Sequence, residues 1–121
     1  MLKRLECVCI PTRNVGESAA FYLSLGLTEA WKIERPLPDG AVWTLLGLKF
    51  PDTASSELVL SDNPDINFTE VELHVDDVRA SFAEISRRPG VTWIREPFAT
   101  ESGHVAVMEA PDGNVFVLVG A

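Results

Sequence analysis

Three ionisable side chains alternate along one short stretch of the sequence and could carry out acid–base chemistry. Glu70, Glu72 and His74 are separated by Val71 and Leu73, so an extended segment would present the polar residues on one face and the apolar residues on the other. Two neighbouring carboxylates resist ionising together, so one of them can hold a proton near neutral pH and pass it to a substrate. The alternative is a polar strand face that is solvated and takes no part in a reaction.

The two cysteines, Cys7 and Cys9, are a second candidate for chemistry. They lie two residues apart in the alternating segment Glu6–Pro11, which predicts a strand with both thiols on one face. This spacing does not suit an unstrained disulfide, so we expect reduced thiols, as in a cytoplasmic protein. The Cys7 thiol could take part in covalent chemistry, or both cysteines could be small buried hydrophobic residues. No nucleophile motif surrounds either thiol, and we assign no catalytic residue.

A helix is expected after each of the two strands that carry these residues. Asn14 and Asp77 are typical N-cap residues, and apolar residues at helical spacing follow each of them, which predicts helices up to Gly26 and Arg88. Further strands are predicted at 27–34, 41–48 and 56–61 in the first half, and at 68–75, 91–96, 104–109 and 115–120 in the second. The segment Pro97–Gly103 is expected to be a loop that could lie over a binding site.

The two halves of the chain repeat the same order of elements: strand, helix and three strands. Val15 recurs as Val78, 63 residues later, and the segment that begins at Trp31 resembles the one that begins at Trp93. We predict an α+β fold of two βαβββ modules, 1–62 and 68–121, joined by a linker at 63–67. Side by side, the modules would form a curved eight-stranded mixed sheet with helices on its convex side and a concave cleft.

Composition and charge restrict the class of partner. Hydrophobic residues make up 46% of the chain, which is typical of a globular domain, and no apolar run is long enough to cross a bilayer. The N-terminal segment lacks the apolar region of a secretory signal, so we expect a cytoplasmic protein. The net charge of −8 argues against nucleic acid and anionic membranes as partners and favours a cationic ligand.

Four motifs make the sequence similar to the vicinal oxygen chelate superfamily, which includes glyoxalase I, bleomycin-resistance proteins and extradiol dioxygenases. The first helix ends in Phe21-Tyr22-Leu23-Ser24-Leu25-Gly26-Leu27, and Val75-Asp76-Asp77-Val78 begins the second. Gly103-His104-Val105-Ala106 and Pro111-Asp112-Gly113-Asn114 resemble the last hairpin of the family. The resemblance implies the glyoxalase-like fold, without specifying an activity.

The resemblance also implies where a metal would bind. In metal-dependent members, four cleft ligands, often His and Glu, come from the first and fourth strands of each half. These positions fall on Cys7, Glu57, Glu70 and Val117. Valine cannot ligate a metal, and one thiolate with two carboxylates mixes soft and hard donors. We therefore predict no metal; the alternative is a divalent ion (Zn, Fe, Mn or Ni) held by Cys7, Glu57 and Glu70.

The predicted function is that of a bleomycin-resistance-like protein, which binds a small cationic or aromatic molecule in the cleft. The alternative is a metal-dependent lyase, isomerase or dioxygenase of the glyoxalase type. Trp43 is the best candidate for an aromatic wall, and the apolar segment 41–48 suits the interface of a homodimer. The predicted ligand-binding residues are Cys7, Trp43, Glu57, Glu70, Glu72, His74 and Val117.

Overall fold

A computed structural model describes all residues, Met1–Ala121. Both helices begin as expected, because the side chain of Asn14 accepts a hydrogen bond from the backbone N–H of Glu17, and that of Asp77 accepts one from Ala80 (each 2.9 Å). In chain order the elements are β1 (Leu2–Pro11), α1 (Val15–Ser24), β2 (Thr28–Pro36), β3 (Val42–Lys49), β4 (Glu57–Ser61), β5 (Glu70–Val75), α2 (Val78–Ile85), β6 (Thr92–Thr100), β7 (Gly103–Glu109) and β8 (Val115–Gly120).

The chain divides into two compact units, which share strand β1. The amino-terminal unit comprises Cys7–Thr69, and the carboxy-terminal unit comprises Met1–Glu6 together with Glu70–Ala121. The first residues of β1 therefore group with the carboxy-terminal unit, and the predicted module boundaries, 1–62 and 68–121, stay a prediction. The predicted linker, 63–67, lies within the amino-terminal unit.

In the amino-terminal unit the strand order is β2-β3-β4-β1, and β1 runs parallel to β4 with Cys7 opposite Glu57. Helix α1 covers one face of this sheet. Ala19 of the helix packs against Leu46, Leu48 and Leu60, and the last two are completely buried. Burying leucines of this size stabilises the unit by roughly 1.5–3 kcal/mol for each side chain.

In the carboxy-terminal unit the strand order is β5-β8-β7-β6, and β5 runs parallel to β8. Helix α2 covers one face of this sheet. Val78 and Ile85 of the helix pack against Val75, Ala106 and Leu118, and all of these except Ile85 have no exposed surface. The two units thus repeat one βαβββ topology, and the predicted α+β fold with an eight-stranded mixed sheet is confirmed.

One predicted loop is wrong. Residues 97–100 belong to strand β6, and only Glu101 and Ser102 form the turn before β7. Strand β6 is at an edge of the sheet, and its pairing with β7 shifts between Trp93 and Arg95 and again between Arg95 and Phe98. An edge strand with bulges tolerates a proline, which is why Pro97 does not end the strand.

The longer helix, α1, has 10 residues, and neither helix has the length and apolar composition that a membrane span requires.

Candidate functional site

The sheet of the carboxy-terminal unit has a polar face on the side away from α2. Leu73 and Val75 of β5 pack in the core under α2, so the alternating residues Glu70, Glu72 and His74 point to the other side. The strand pairing extends this face across β8, β7 and β6. We call it the polar face; its residues are Glu70, Glu72 and His74 of β5, Val117 and Val119 of β8, Val105 and Val107 of β7, and Arg95 and Phe98 of β6.

Glu70 has the most unfavourable environment for a charge on this face. Its side chain is half-buried, and burial raises the pKa of its carboxyl group above the ordinary value of 4.5. Desolvation is the sole cause of this shift, since no hydrogen bond or positive charge stabilises the carboxylate. A cation placed against Glu70 would compensate for the lost hydration.

His74 lies beside a carboxylate that the sequence pattern did not reveal. The Nδ1 atom of His74 is 3.4 Å from Oε2 of Glu6, and both residues are partly buried. The Nδ1 atom is shielded from solvent and makes no hydrogen bond. Glu6 is on β1, which belongs to this unit only through its first residues. No local signal in the sequence could have paired residues so far apart in the chain.

Arg95 and Phe98 are further members of the polar face that sequence reasoning missed. The guanidinium carbon of Arg95 lies 4.2 Å from the centre of the Phe98 ring. Such a cation–π contact is worth roughly 0.5–1 kcal/mol at an exposed position and restrains the guanidinium. Their position on this face depends on the two bulges in β6, and no periodic pattern in the sequence indicates these bulges.

The corresponding face of the amino-terminal unit is apolar and closely packed. Cys7 and Cys9 are only 4% and 3% exposed, and they pack with Leu45 and Val59 on the side of the sheet away from α1. Neither cysteine is part of a disulfide. Burial of this extent favours the alternative that both are small buried hydrophobic residues.

Glu57 is engaged by a tryptophan of its own unit. The indole Nε1 of Trp31 donates a hydrogen bond of 2.7 Å to Oε1 of Glu57. The ring of Trp31 lies against the backbone at Gly47, where a Cβ atom would overlap it. Glycine is thus required at position 47 for the ring to reach Glu57, which gives Glu57 a structural role in holding Trp31.

Trp43, the predicted aromatic wall, is fixed in a similar way. Its Nε1 donates a hydrogen bond of 2.8 Å to Oγ of Ser61, a hydroxyl that is almost completely buried. The guanidinium carbon of Arg35 lies 4.8 Å from the centre of the Trp43 ring. One face of the indole is therefore already covered by a cation, and stacking of a flat ligand on Trp43 stays a prediction.

The residues do not fit the divalent metal that the superfamily resemblance implies. The Cys7 thiol is buried among apolar side chains, an oxygen of Glu57 accepts the Trp31 hydrogen bond, and Val117 has no donor atom. Val117 is paired with Glu72 in the sheet. Nowhere in the chain do three His, Cys, Asp or Glu side chains come together in an arrangement that could hold a metal ion. We derive no chemistry through a metal.

Two cavities, of about 640 and 520 Å³, lie in the amino-terminal unit around Arg13 and Asp62. The larger is lined by the residues that follow β1 and β4, including Thr12 and Asn63, and the smaller by the first turn of α1 and by Lys32. None of the predicted ligand-binding residues lines either cavity.

Comparison with known proteins by sequence finds no matching family profile and no matching curated protein. Comparison of structures finds methylmalonyl-CoA epimerase from Streptomyces coelicolor in complex with 2-nitronate-propionyl-CoA, with a TM-score of 0.75 and 19% identity over 100% of this chain and 96% of that one. Methylmalonyl-CoA epimerase from Mycobacterium tuberculosis has a TM-score of 0.75 and 16% identity, over 98% and 88% of the two chains. A catechol 2,3-dioxygenase has a TM-score of 0.63 and 18% identity, over 98% of this chain and 43% of that one.

The chain has the vicinal oxygen chelate fold. The resemblance inferred from the sequence motifs is thus confirmed at the level of fold. These neighbours are less than 20% identical to this chain and share its arrangement of strands and helices. Similarity of fold at this level does not transfer their activities to this chain.

Proposed function

We propose that this vicinal oxygen chelate protein binds a small organic cation with an apolar or aromatic part on the polar face of its carboxy-terminal unit. The observation that carries the proposal is the half-buried carboxylate of Glu70, which has no compensating charge or hydrogen bond. An unpaired buried carboxylate is costly unless a cation or a proton neutralises it. A cationic ligand would therefore gain a contact that the free protein lacks.

The remainder of the polar face supports a ligand that is only partly polar. Val105, Val107 and Val119 are half-buried and form an apolar surface next to the β5 side chains. Phe98 adds an aromatic ring at the far strand. Hydrophobic surface with a few polar groups at its edge is typical of small-molecule sites.

The charge of the whole chain supports the same class of ligand. There are 18 acidic and 10 basic residues, which give a formal net charge of −8. A field of this sign attracts cations and repels anions, so it accelerates the association of a cationic ligand more than it strengthens the complex.

The proposal is tested by isothermal titration with benzyltrimethylammonium and, as the matched anion, benzoate. We expect the cation alone to bind and to raise the melting temperature. Glu70→Gln should weaken cation binding roughly tenfold or more, because a hydrogen bond or contact to a charged group contributes about 1.5–3 kcal/mol. Glu84→Gln is the control, because Glu84 lies on α2, away from the polar face, and forms ion pairs with Arg87 and Arg88. Preferential binding of benzoate, or equal affinity in wild type and Glu70→Gln, would contradict the proposal.

The alternative function is that of a metal-dependent lyase, isomerase or dioxygenase. Its support is the fold that this chain shares with the epimerase and dioxygenase neighbours. The proposed ligands for it, Cys7, Glu57 and Glu70, lack suitable surroundings, since Cys7 is buried and Glu57 holds Trp31. No observation in this chain favours that chemistry over binding. The homodimer and the cytoplasmic location stay predictions.

A further inference from the structure

We infer that the ligand of the polar face carries two opposite charges: a cationic group beside the β5 carboxylates and an anionic group, such as a carboxylate, at Arg95. This inference rests on the proposed function and names the chemical class of its ligand. It follows from the order of side chains across the sheet and from the surroundings of Arg95.

The strand pairing sets one row of side chains across all four strands of the unit. Glu72 pairs with Val117, Val117 with Val107, and Val107 with Arg95. Side chains of paired residues share one face, so the row has a carboxylate at one end and a guanidinium at the other. Three strand spacings of about 4.8 Å separate the backbones of Glu72 and Arg95 by about 14 Å along the sheet.

Arg95 is the one lysine or arginine in strands β5 to β8. It forms no ion pair, and its guanidinium contacts the ring of Phe98. Glu109 also lies on this side of β7, paired with Thr92 and Val115, and it does not reach Arg95. The guanidinium is restrained on one side and has no carboxylate partner, which leaves its hydrogen-bond donors for an anion.

The two ends of the row form no ion pair with each other, because Arg95 contacts the Phe98 ring and its backbone lies three strand spacings, about 14 Å, from that of Glu72. Val117, which is 6% exposed, and the half-buried Val107 lie between the ends. A ligand with charges at its two ends and an apolar middle would match the row at every position, whereas a simple cation would match one end.

The test is isothermal titration of wild type with three series of linear compounds of increasing length: ω-amino acids, primary monoamines and dicarboxylates. We expect one chain length in the ω-amino acid series to bind more tightly than the shorter amino acids and than the monoamine of equal length. Arg95→Gln should weaken the binding of that amino acid about fivefold and leave the monoamine unaffected, since an exposed ion pair is worth about 1 kcal/mol. Arg79→Gln, an exposed arginine on α2, is the control.

The outcomes separate this inference from the proposed function. If monoamines bind as tightly as amino acids of equal length, or if Arg95→Gln leaves the affinity of every amino acid unchanged, the ligand is a simple cation and the inference is overturned while the proposed function stands. If neither monoamines nor amino acids bind, both are overturned. A dependence on Arg95 that appears only in the amino acid series supports the inference.

Discussion

The two units of this protein use one topology to build two different sheet faces. On the side away from its helix, the amino-terminal unit places Cys7 and Cys9, which are buried with Leu45 and Val59. At the equivalent positions, 63 residues later, the carboxy-terminal unit places Glu70 and Glu72 on a half-buried face. The comparison teaches that the βαβββ fold needs only its helix-covered face as core, so the other face is available either for packing or for a ligand.

The two tryptophans that repeat in the sequence make the same point. Trp31 packs with the cysteines, on the face away from α1, and donates its N–H to Glu57. Trp93 packs under α2 instead, 4.7 Å from the Phe82 ring, and donates its N–H to Ser86. A shift of one residue in strand register moves a side chain to the other face, and β2 is irregular next to Trp31 as β6 is next to Trp93. Trp31 and Trp93 lie in similar sequence segments but therefore face different sides of their sheets, Trp31 away from the helix and Trp93 towards it.

The largest expected effect comes from exchanging equivalent residues between the two faces. Cys7→Glu would bury a carboxylate among apolar side chains and should destabilise the protein by several kcal/mol or prevent folding. Glu70→Cys would remove a poorly solvated carboxylate and should change the free energy of unfolding by less than about 1 kcal/mol. Denaturant unfolding of both variants measures the difference. Equal costs would mean that the two faces do not differ in the way described.

A smaller effect is expected from Gly47→Ala in the amino-terminal unit. The new Cβ atom would overlap the Trp31 ring, and the ring would have to leave Glu57. We expect a loss of about 1–3 kcal/mol, as for other overpacked positions, together with a change in tryptophan fluorescence. Gly16→Ala on α1, where a Cβ atom has room, is the control. If Trp31→Ala does not relieve the cost of Gly47→Ala in the double variant, the overlap is not its cause.

The pH dependence of stability should distinguish Glu70 from exposed carboxylates. Because the pKa of Glu70 is raised in the folded protein, the protonated form is favoured there, and the stability present below pH 4.5 is lost as the pH rises through the folded-state pKa. Glu70→Gln removes this loss. The melting temperature of Glu70→Gln minus that of wild type should therefore be more positive at pH 7 than at pH 4. Glu84→Gln should show no such trend; a trend of the same size there would assign the effect to general surface charge.

The smallest effect expected is that of metal removal. Cys7 is buried, Glu57 accepts the Trp31 hydrogen bond and Val117 has no donor atom. Treatment with a chelator should therefore leave the melting temperature unchanged, and purified protein should hold no stoichiometric divalent metal. Elemental analysis and thermal unfolding before and after chelation measure this. One tightly held zinc or iron per chain would contradict it.

Local patterns in the sequence were sufficient for much of the fold. The two-residue alternation of β1 and β5, the N-caps at Asn14 and Asp77, and the repeat of five elements are all confirmed. These features depend on hydrogen bonds and side-chain directions within a few residues of each other, so the sequence determines them by itself. The polar face was visible in the same way, as the alternation of Glu70, Glu72 and His74.

Only the tertiary structure decided what surrounds those residues. The partners of Glu57 and His74, which are Trp31 and Glu6, lie far away along the chain. Arg95 joins the polar face because two bulges set its register against β7. Register and bulges arise from pairing between strands, where one residue of slip reverses every side chain, and no local periodicity records that choice. The sequence by itself therefore determined the elements and their polar pattern, and the packing of strands determined which of those side chains meet.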